Sequence, residues 1–246
     1  MTRELTRPAD ITAAAPPATM LHWAVQGRRP GVRVFTHRDA VAVACPALAR
    51  RDRLTVTGPP ADAVPLVRHA LAETGPTYRP LGGEPLIRHL AAHVPGLEFA
   101  AAFHWLDTRT AAPGATGDAT WLTPADEPAV TTLLAAANPG SYAVPGLPGV
   151  HRWAGIRGGD GTPVSVGADA WSTPGAGFIA GVATAAAHRG LGHAETVCRF
   201  LVNSLHAHHG YVALMADAGN HTAAGIYHRL GLTRHTVAAA RLTTPT

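Results

Sequence analysis

The six residues Arg189-Gly190-Leu191-Gly192-His193-Ala194 have the makings of an anion site. An apolar stretch, Gly177 to Ala185, runs into them as a strand. After them Ala194, Val197, Cys198, Leu201, Val202 and Leu205 recur at the spacing of one helical face. The first amides of such a helix have no intrahelical partner, and its dipole places about half a positive charge at the same end. Glycines 190 and 192 let the backbone approach a ligand, and Arg189 adds a full charge. A pyrophosphate is the natural guest. The same residues also suit an ordinary strand–turn–helix junction. His188 and His193 flank the loop, as phosphate donors or as plain surface groups. His206, His208 and His209 have a metal-like spacing, but they occupy the last helical turn before Gly210, where side-chain donors satisfy free carbonyls. No metal is expected. Cys45 and Cys198, the only cysteines, lie in apolar patterns and read as core residues.

The pattern Arg189-x-x-Gly192-x-Ala194 resembles the Q/R-x-x-G-x-G/A signature of the GNAT superfamily of acyl-CoA N-acyltransferases. Val182-Ala183-Thr184 precede it at the family's spacing, with Ala186 where proline is usual. Asn220-x-x-Ala223-x-x-Ile226-Tyr227-x-x-Leu230-Gly231-Leu232 resembles the family's N-x-x-A-x-x-L-Y-x-x-x-G-F block, with Ile226 and Leu232 as departures. The resemblance covers about residues 116–246. It implies acetyl-CoA as acyl donor. Pantetheine would pair with the backbone of Val182, Ala183 and Thr184. The pyrophosphate would lie on Arg189, Gly190, Leu191, Gly192, His193 and Ala194, and Asn220 would bond the pantetheine arm. Tyr227 would protonate the departing thiolate after direct attack by an amine. For the general base the candidates are Asp217, preferred, then Asp169 and Glu195; a water chain is the competitor. Glu195 also simply complements the helix dipole, and Asp169 is also a plain turn carboxylate.

The elements that must hold these residues follow from the rest of the chain. Its 246 residues, 46% hydrophobic and 15% charged, are those of a globular protein with apolar cores, and the resemblance implies an α/β fold with a mixed sheet. A GNAT-like fold in two tandem halves is expected, with only the C-terminal one catalytic. The organisation reads as a flexible, loosely held N-terminal arm over 1–20, a degenerate GNAT-like half over 21–110, a linker over 111–118 and a catalytic half over 119–246. In the first half, Thr57-Gly58-Pro59-Pro60-Ala61 stands where the acyl-CoA loop belongs, and two prolines remove amide donors. In the second half, Thr123 to about Ala137 reads as a capped helix, and Val150 to Ile156 with Pro163 to Ala168 as a hairpin. Trp153 and Trp171 are acceptor-pocket candidates or core aromatics.

All 20 basic residues are arginine, and the net charge is +4. The arginines are scattered and no basic stretch is interleaved with aromatics, so nucleic acid is not an expected partner. No apolar run approaches the ~20 residues of a bilayer span, and the first residues, MTRELTRPADITAAAPP, hold no hydrophobic signal core. A cytoplasmic protein with no membrane partner is expected. The Pro/Gly-rich stretch 138–149 favours a partly enclosed site for a small-molecule, amino-acid or short-peptide amine. A protein N-terminus or lysine is the nearest alternative acceptor, and a CoA-binding sensor or scaffold without turnover the alternative of another class. A monomer is expected, the N-terminal half standing in for a second subunit.

Overall fold

The computed structural model describes residues 1–243. The chain forms two compact units: Met1–Trp105 with the segment from His235 on, and Leu106–Arg234. The last three residues of the expected 119–246 half lie outside the described residues.

The first unit begins with β1 (Thr2–Leu5), α1 (Pro8–Ala14) and α2 (Met20–Val25). This corrects the expectation of a loose arm over 1–20. β1 pairs antiparallel with β2 (Arg33–His37), from Thr2↔His37 to Leu5↔Val34, and Leu5 and Ile11 are buried. Proline and alanine in this stretch begin and fill a short helix: Pro8 occupies a first-turn position, where its missing N–H costs nothing. Then come β3 (Ala40–Leu48), β4 (Arg51–Thr57), α3 (Pro60–Thr74), β5 (Arg79–Gly83), α4 (Glu84–His93) and β6 (Leu97–Thr108). Leu66, Val67, Ala70, Ile87 and Leu90 bury the inner faces of the two helices against Phe35, Leu54 and Val56.

The second unit holds β7 (Thr120–Trp121), α5 (Glu127–Ala137), β8 (Val150–Arg157), β9 (Pro163–Ala170), β10 (Gly177–Thr184), α6 (His193–His209), β11 (Val212–Asp217) and α7 (His221–Arg229). Its sheet order is β11-β10-β9-β8-β7, antiparallel except for β10–β11. Every residue of β9 is buried, as a central strand covered on both faces requires. α6 buries Val197, Cys198, Leu201, Val202 and Leu205, and each large apolar side chain taken out of water contributes ~1.5–3 kcal/mol. Gly167 on β9 admits it: a Cβ there would lie 2.8 Å from Leu201 Cδ1. Gly210, at φ 72°, ends α6 in the left-handed conformation.

The chain then returns to the first unit as β12 (Thr233–Leu242), which pairs antiparallel with β5 from Val237↔Gly83 to Ala239↔Leu81. The first unit's sheet order is therefore β1-β2-β3-β4-β5-β12-β6. The C-terminal strand, expected within the catalytic half, completes the sheet of the N-terminal one.

The expected linker is a strap fixed along one face of α6. Asn203 Oδ1 accepts from Ala112 N at 2.7 Å, Arg199 Nε donates to Pro113 O at 2.7 Å, and His206 Nε2 lies 3.0 Å from Arg109 O. Positions 199, 203 and 206 share a helical face, so its polar side serves the strap while its apolar side serves the sheet.

Candidate functional site

The site grows from the way β10 and β11 part. Their parallel pairing runs Gly177↔Val212, Phe178↔Ala213 and Ile179↔Leu214, and stops. β10 continues to Thr184 and β11 to Asp217. On its other edge β10 shifts register against β9 between Ala180 and Ala183. Gly181 lies in that bulge at φ 64°, with Trp153 against it: a Cβ would meet Trp153 Cη2 at 2.7 Å. Only glycine fits both the backbone angle and the space. Ala180, Gly181 and Val182 are half-buried, on the stretch of β10 that β11 no longer pairs.

Below this edge the chain passes a short 3₁₀ turn, Ala186–His188, and reaches the loop. Gly190 and Gly192 hold φ of 79° and 80°, and a Cβ at either would meet nothing within 4 Å, so the loop backbone stands open. Thr196 is the first residue whose amide closes onto the helix, donating to Gly192 O at 3.0 Å. The amides of His193, Ala194 and Glu195 therefore have no carbonyl one turn back within α6. Arg189 is exposed and donates from Nε to Thr184 O at 3.3 Å, which ties its guanidinium to the end of the strand. The loop thus has the open backbone, amide donors, dipole and cation that a pyrophosphate needs. His188 and His193 stand with ring centroids 6.2 Å apart.

Tyr227 lies on α7, 6% exposed, in the apolar cluster with Val197, Cys198, Leu201 and Leu214. Burial, with Cys198 adding to it, pushes its phenol well above the ordinary tyrosine range. A phenol so placed keeps its proton at neutral pH and can act only as a donor of it. Cys198, fully buried, has its thiol pushed up to about 12, so it supplies no thiolate nucleophile.

The carboxylates separate by employment. Glu195 accepts from Arg199 Nη2 at 2.7 Å through one oxygen and from Arg229 Nε and Nη2 at 2.8 and 2.6 Å through the other. The hydrogen bond from Arg229 is the chief reason its carboxyl titrates below the ordinary range. Asp169, 5% exposed, accepts from Ser172 Oγ at 2.5 Å and Arg152 Nε at 3.2 Å; Ser172 Oγ in turn accepts from Phe178 N at 2.8 Å. Both candidates are committed to holding structure. Asp217, at the exposed end of β11, is the one of the three outside such a network; its backbone carbonyl accepts from Asn220 N at 3.0 Å. Asn220 has a second employment: its Oδ1 caps α7 by accepting from Ala223 N at 3.0 Å, which leaves only its amide nitrogen as a donor to a ligand.

Sequence reading missed Asn138. Its Nδ2 donates to Val182 O at 3.2 Å, on the strand edge assigned to pantetheine. The Pro/Gly stretch 138–149 thereby folds onto β10, with Ala143 Cβ 3.2 Å from where a Gly181 Cβ would stand. An Asn-Pro-Gly turn at a helix end was the available signal, but nothing local names a carbonyl 44 residues away as its acceptor. Trp153 and Trp171 are buried, at 4% and 1% exposure. Among the described residues no group of three or more His, Cys, Asp or Glu could hold a metal ion. No helix among them is long and apolar enough to cross a membrane.

The first unit repeats the strand–helix–strand arrangement without the opening. β4 and β5 pair in parallel through Thr55↔Leu81, and the next pair stays close: a Cβ on Gly82 would lie 2.5 Å from Val56 O. Pro59 and Pro60 open α3 where donors would be needed. Gly58, at φ 120°, packs so tightly that a Cβ would lie 2.5 Å from Ala40 Cα.

No family model matches the sequence, and no curated relative does. Solved structures do match. A GCN5-related N-acetyltransferase from Kribbella flavida superposes with TM-score 0.62 at 20% identity, over 96% of each chain. One from Sphaerobacter thermophilus gives 0.56 at 18% identity, over 100% of this chain and 96% of that one. A tandem GNAT protein from the clavulanic acid biosynthesis pathway gives 0.51 at 14% identity, over 100% and 99%. The chain has the GNAT fold. The match to the tandem protein spans both of this chain's compact units.

Proposed function

We propose that this chain is an N-acetyltransferase, taking the acetyl group of acetyl-CoA to a primary amine, with the whole site in the second unit. The observation that carries the proposal is the β10 edge: it has no β11 partner beyond Ile179, is bulged at Gly181, and leads directly into an open amide-lined loop. An extended pantetheine arm needs such an edge, and its pyrophosphate needs such a loop. The GNAT-like neighbours support the same reaction class.

In this reading the backbone of Val182, Ala183 and Thr184 binds the arm, with Asn138 sharing or yielding the Val182 carbonyl. Residues 189–194 bind the phosphates, and the Asn220 amide nitrogen donates to the arm. The amine lone pair attacks the thioester carbon, the C–S bond breaks, and the sulfur leaves as thiolate. Tyr227 supplies the proton that makes it a thiol. The nitrogen loses its proton to Asp217 or to water, since Asp169 and Glu195 are engaged by arginines. The acceptor is a small-molecule, amino-acid or peptide amine enclosed by stretch 138–149. We further propose a monomer that acts without metal, nucleic acid or membrane, in the cytoplasm.

Thermal stability with and without acetyl-CoA tests the assignment. At ~100 times its dissociation constant a native-state ligand stabilises by about 2.7 kcal/mol. Wild type should show that shift, and Arg189→Ala and Gly192→Asp should lose it. An amine-library screen for thiol release then names the acceptor. No shift at millimolar acetyl-CoA sinks the assignment; a shift with no thiol release from any amine favours the sensor.

A further inference from the structure

The turn joining β3 to β4 is built against local preference. Ala47, Ala49 and Arg50 hold φ of 51°, 48° and 60°, a left-handed conformation costly for any residue with a Cβ. The β3–β4 register shifts between Cys45 and Leu48. Two side chains hold the shape: Asp52 Oδ1 accepts from Ala47 N at 2.9 Å, and Arg53, 7% exposed, donates from Nε to Leu48 O at 3.0 Å. Ala49 and Arg50 are the central pair of a two-residue hairpin turn, which takes positive φ at both positions; Ala47, beside the register shift, is the further left-handed residue. Together the turn and its two side-chain braces fix where the arginines at its tip and flank stand.

The shape is a cavity of 390 Å³, lined by Ala47, Arg50, Arg51, Asp52, Thr77 and Arg79. Three guanidinium groups and one carboxylate give its wall a net charge of about +2 at neutral pH. Arg50 and Arg79 belong to none of the ion pairs among the described residues, whereas eight other arginines do. Asp52 already spends one oxygen on the turn. Like charges drawn around one hollow are unfavourable until an anion fills it.

We propose that this cavity, wholly within the first unit, binds the phosphate group of a small phosphomonoester with a polar body, such as a sugar phosphate. A phosphomonoester carries about −1.5 to −2 charges at pH 7 and three acceptor oxygens, matching the wall in charge. Guanidinium forks bond phosphate oxygens in pairs. Thr77 offers a hydroxyl, and the one apolar lining side chain is the methyl of Ala47, so the body of the ligand is polar. This site is independent of the acetyl-transfer reading.

The test is calorimetric titration of the full chain with ribose 5-phosphate, beside inorganic phosphate, succinate and sodium chloride at matched ionic strength. Wild type should bind both phosphates, and succinate at least tenfold more weakly. Arg50→Gln/Arg79→Gln should weaken ribose 5-phosphate at least tenfold while leaving stabilisation by acetyl-CoA as in wild type, which also reports that the double variant is folded. If acetyl-CoA stabilises neither protein, an unchanged melting temperature serves as the folding control. Equal affinity in wild type and double variant overturns the proposal, as does succinate binding as tightly as the phosphates. Co-sedimentation with phosphatidic acid vesicles, lost in the double variant, would place the phosphate on a lipid and overturn the soluble ligand.

Discussion

Glu195 joins the helix that begins at the loop to the helix that carries Tyr227, and Glu195→Gln should uncouple them. One carboxylate oxygen holds Arg199 on α6, and the other holds Arg229, two residues beyond Tyr227 on α7. The side chains of Glu195 and Arg199 are 22% and 17% exposed, while Arg229 is 58% exposed. The Arg229 leg is solvent-screened and contributes ~0.5 kcal/mol. The Arg199 leg, a charge-assisted bond between largely buried groups, contributes ~1.5 kcal/mol. The loss of about 2 kcal/mol should lower the melting temperature by roughly 4–8 °C. Glu195 titrates below its ordinary 4.5 in the folded chain. Its stabilisation is therefore complete above 4.5 and is lost as pH falls through the lower, folded value. The gap between wild type and variant should close with acid. In turnover, kcat should fall roughly tenfold as α7 loosens, because small displacements of a reacting group are costly. KM for acetyl-CoA should not rise, since a negative charge has been removed from beside the phosphate loop. Denaturation from pH 3 to pH 7 and steady-state kinetics read all of this. A stability gap that persists at pH 3 would mean lost packing rather than lost charge, and an unchanged kcat at pH 7 would refute the coupling.

Two further substitutions test other parts of the reasoning. Gly181→Ala places a Cβ at φ 64° and 2.7 Å from the buried Trp153 ring, so it should cost ~2–4 kcal/mol by chemical denaturation and abolish the acetyl-CoA shift; a near-neutral result would deny the bulge its role. Tyr227→Phe should keep acetyl-CoA binding and cut thiol release ~10²-fold or more. Its stability profile should differ from wild type only in alkali: a raised folded phenol makes wild type lose stability as pH climbs from the unfolded tyrosine value near ~10 toward the folded one, and the phenylalanine variant lacks that loss. Equal alkaline slopes would show that the phenol ionises as freely in the folded chain as in the unfolded one.

What the sequence disclosed and what it withheld divide along the reach of the interactions. The β10–loop–α6 unit was legible because each of its parts is set locally. Helical period fixes the buried face from Val197 to Leu205, and glycines 190, 192 and 210 all take the left-handed conformation their neighbours cannot. The destination of β12 was not legible. Its pairing residues Val237, Ala238 and Ala239 meet Leu81, Gly82 and Gly83, and small side chains carry little strand preference and no record of a partner more than 150 residues away. The arm was misread for a related reason: Leu5 and Ile11 are isolated apolar residues, and isolation reads as exposure until another strand covers them. The same limit governs the base. Residue type made Asp169, Glu195 and Asp217 all candidates, with Asp217 preferred, and each has the chemistry. Only distance shows that the first two are held by arginines, so that taking up a proton would mean surrendering an ion pair that fixes the fold around the site. A carboxylate that positions the scaffold is poorly suited to changing charge in every turnover, and that leaves the exposed Asp217, or water, to receive the proton from the amine.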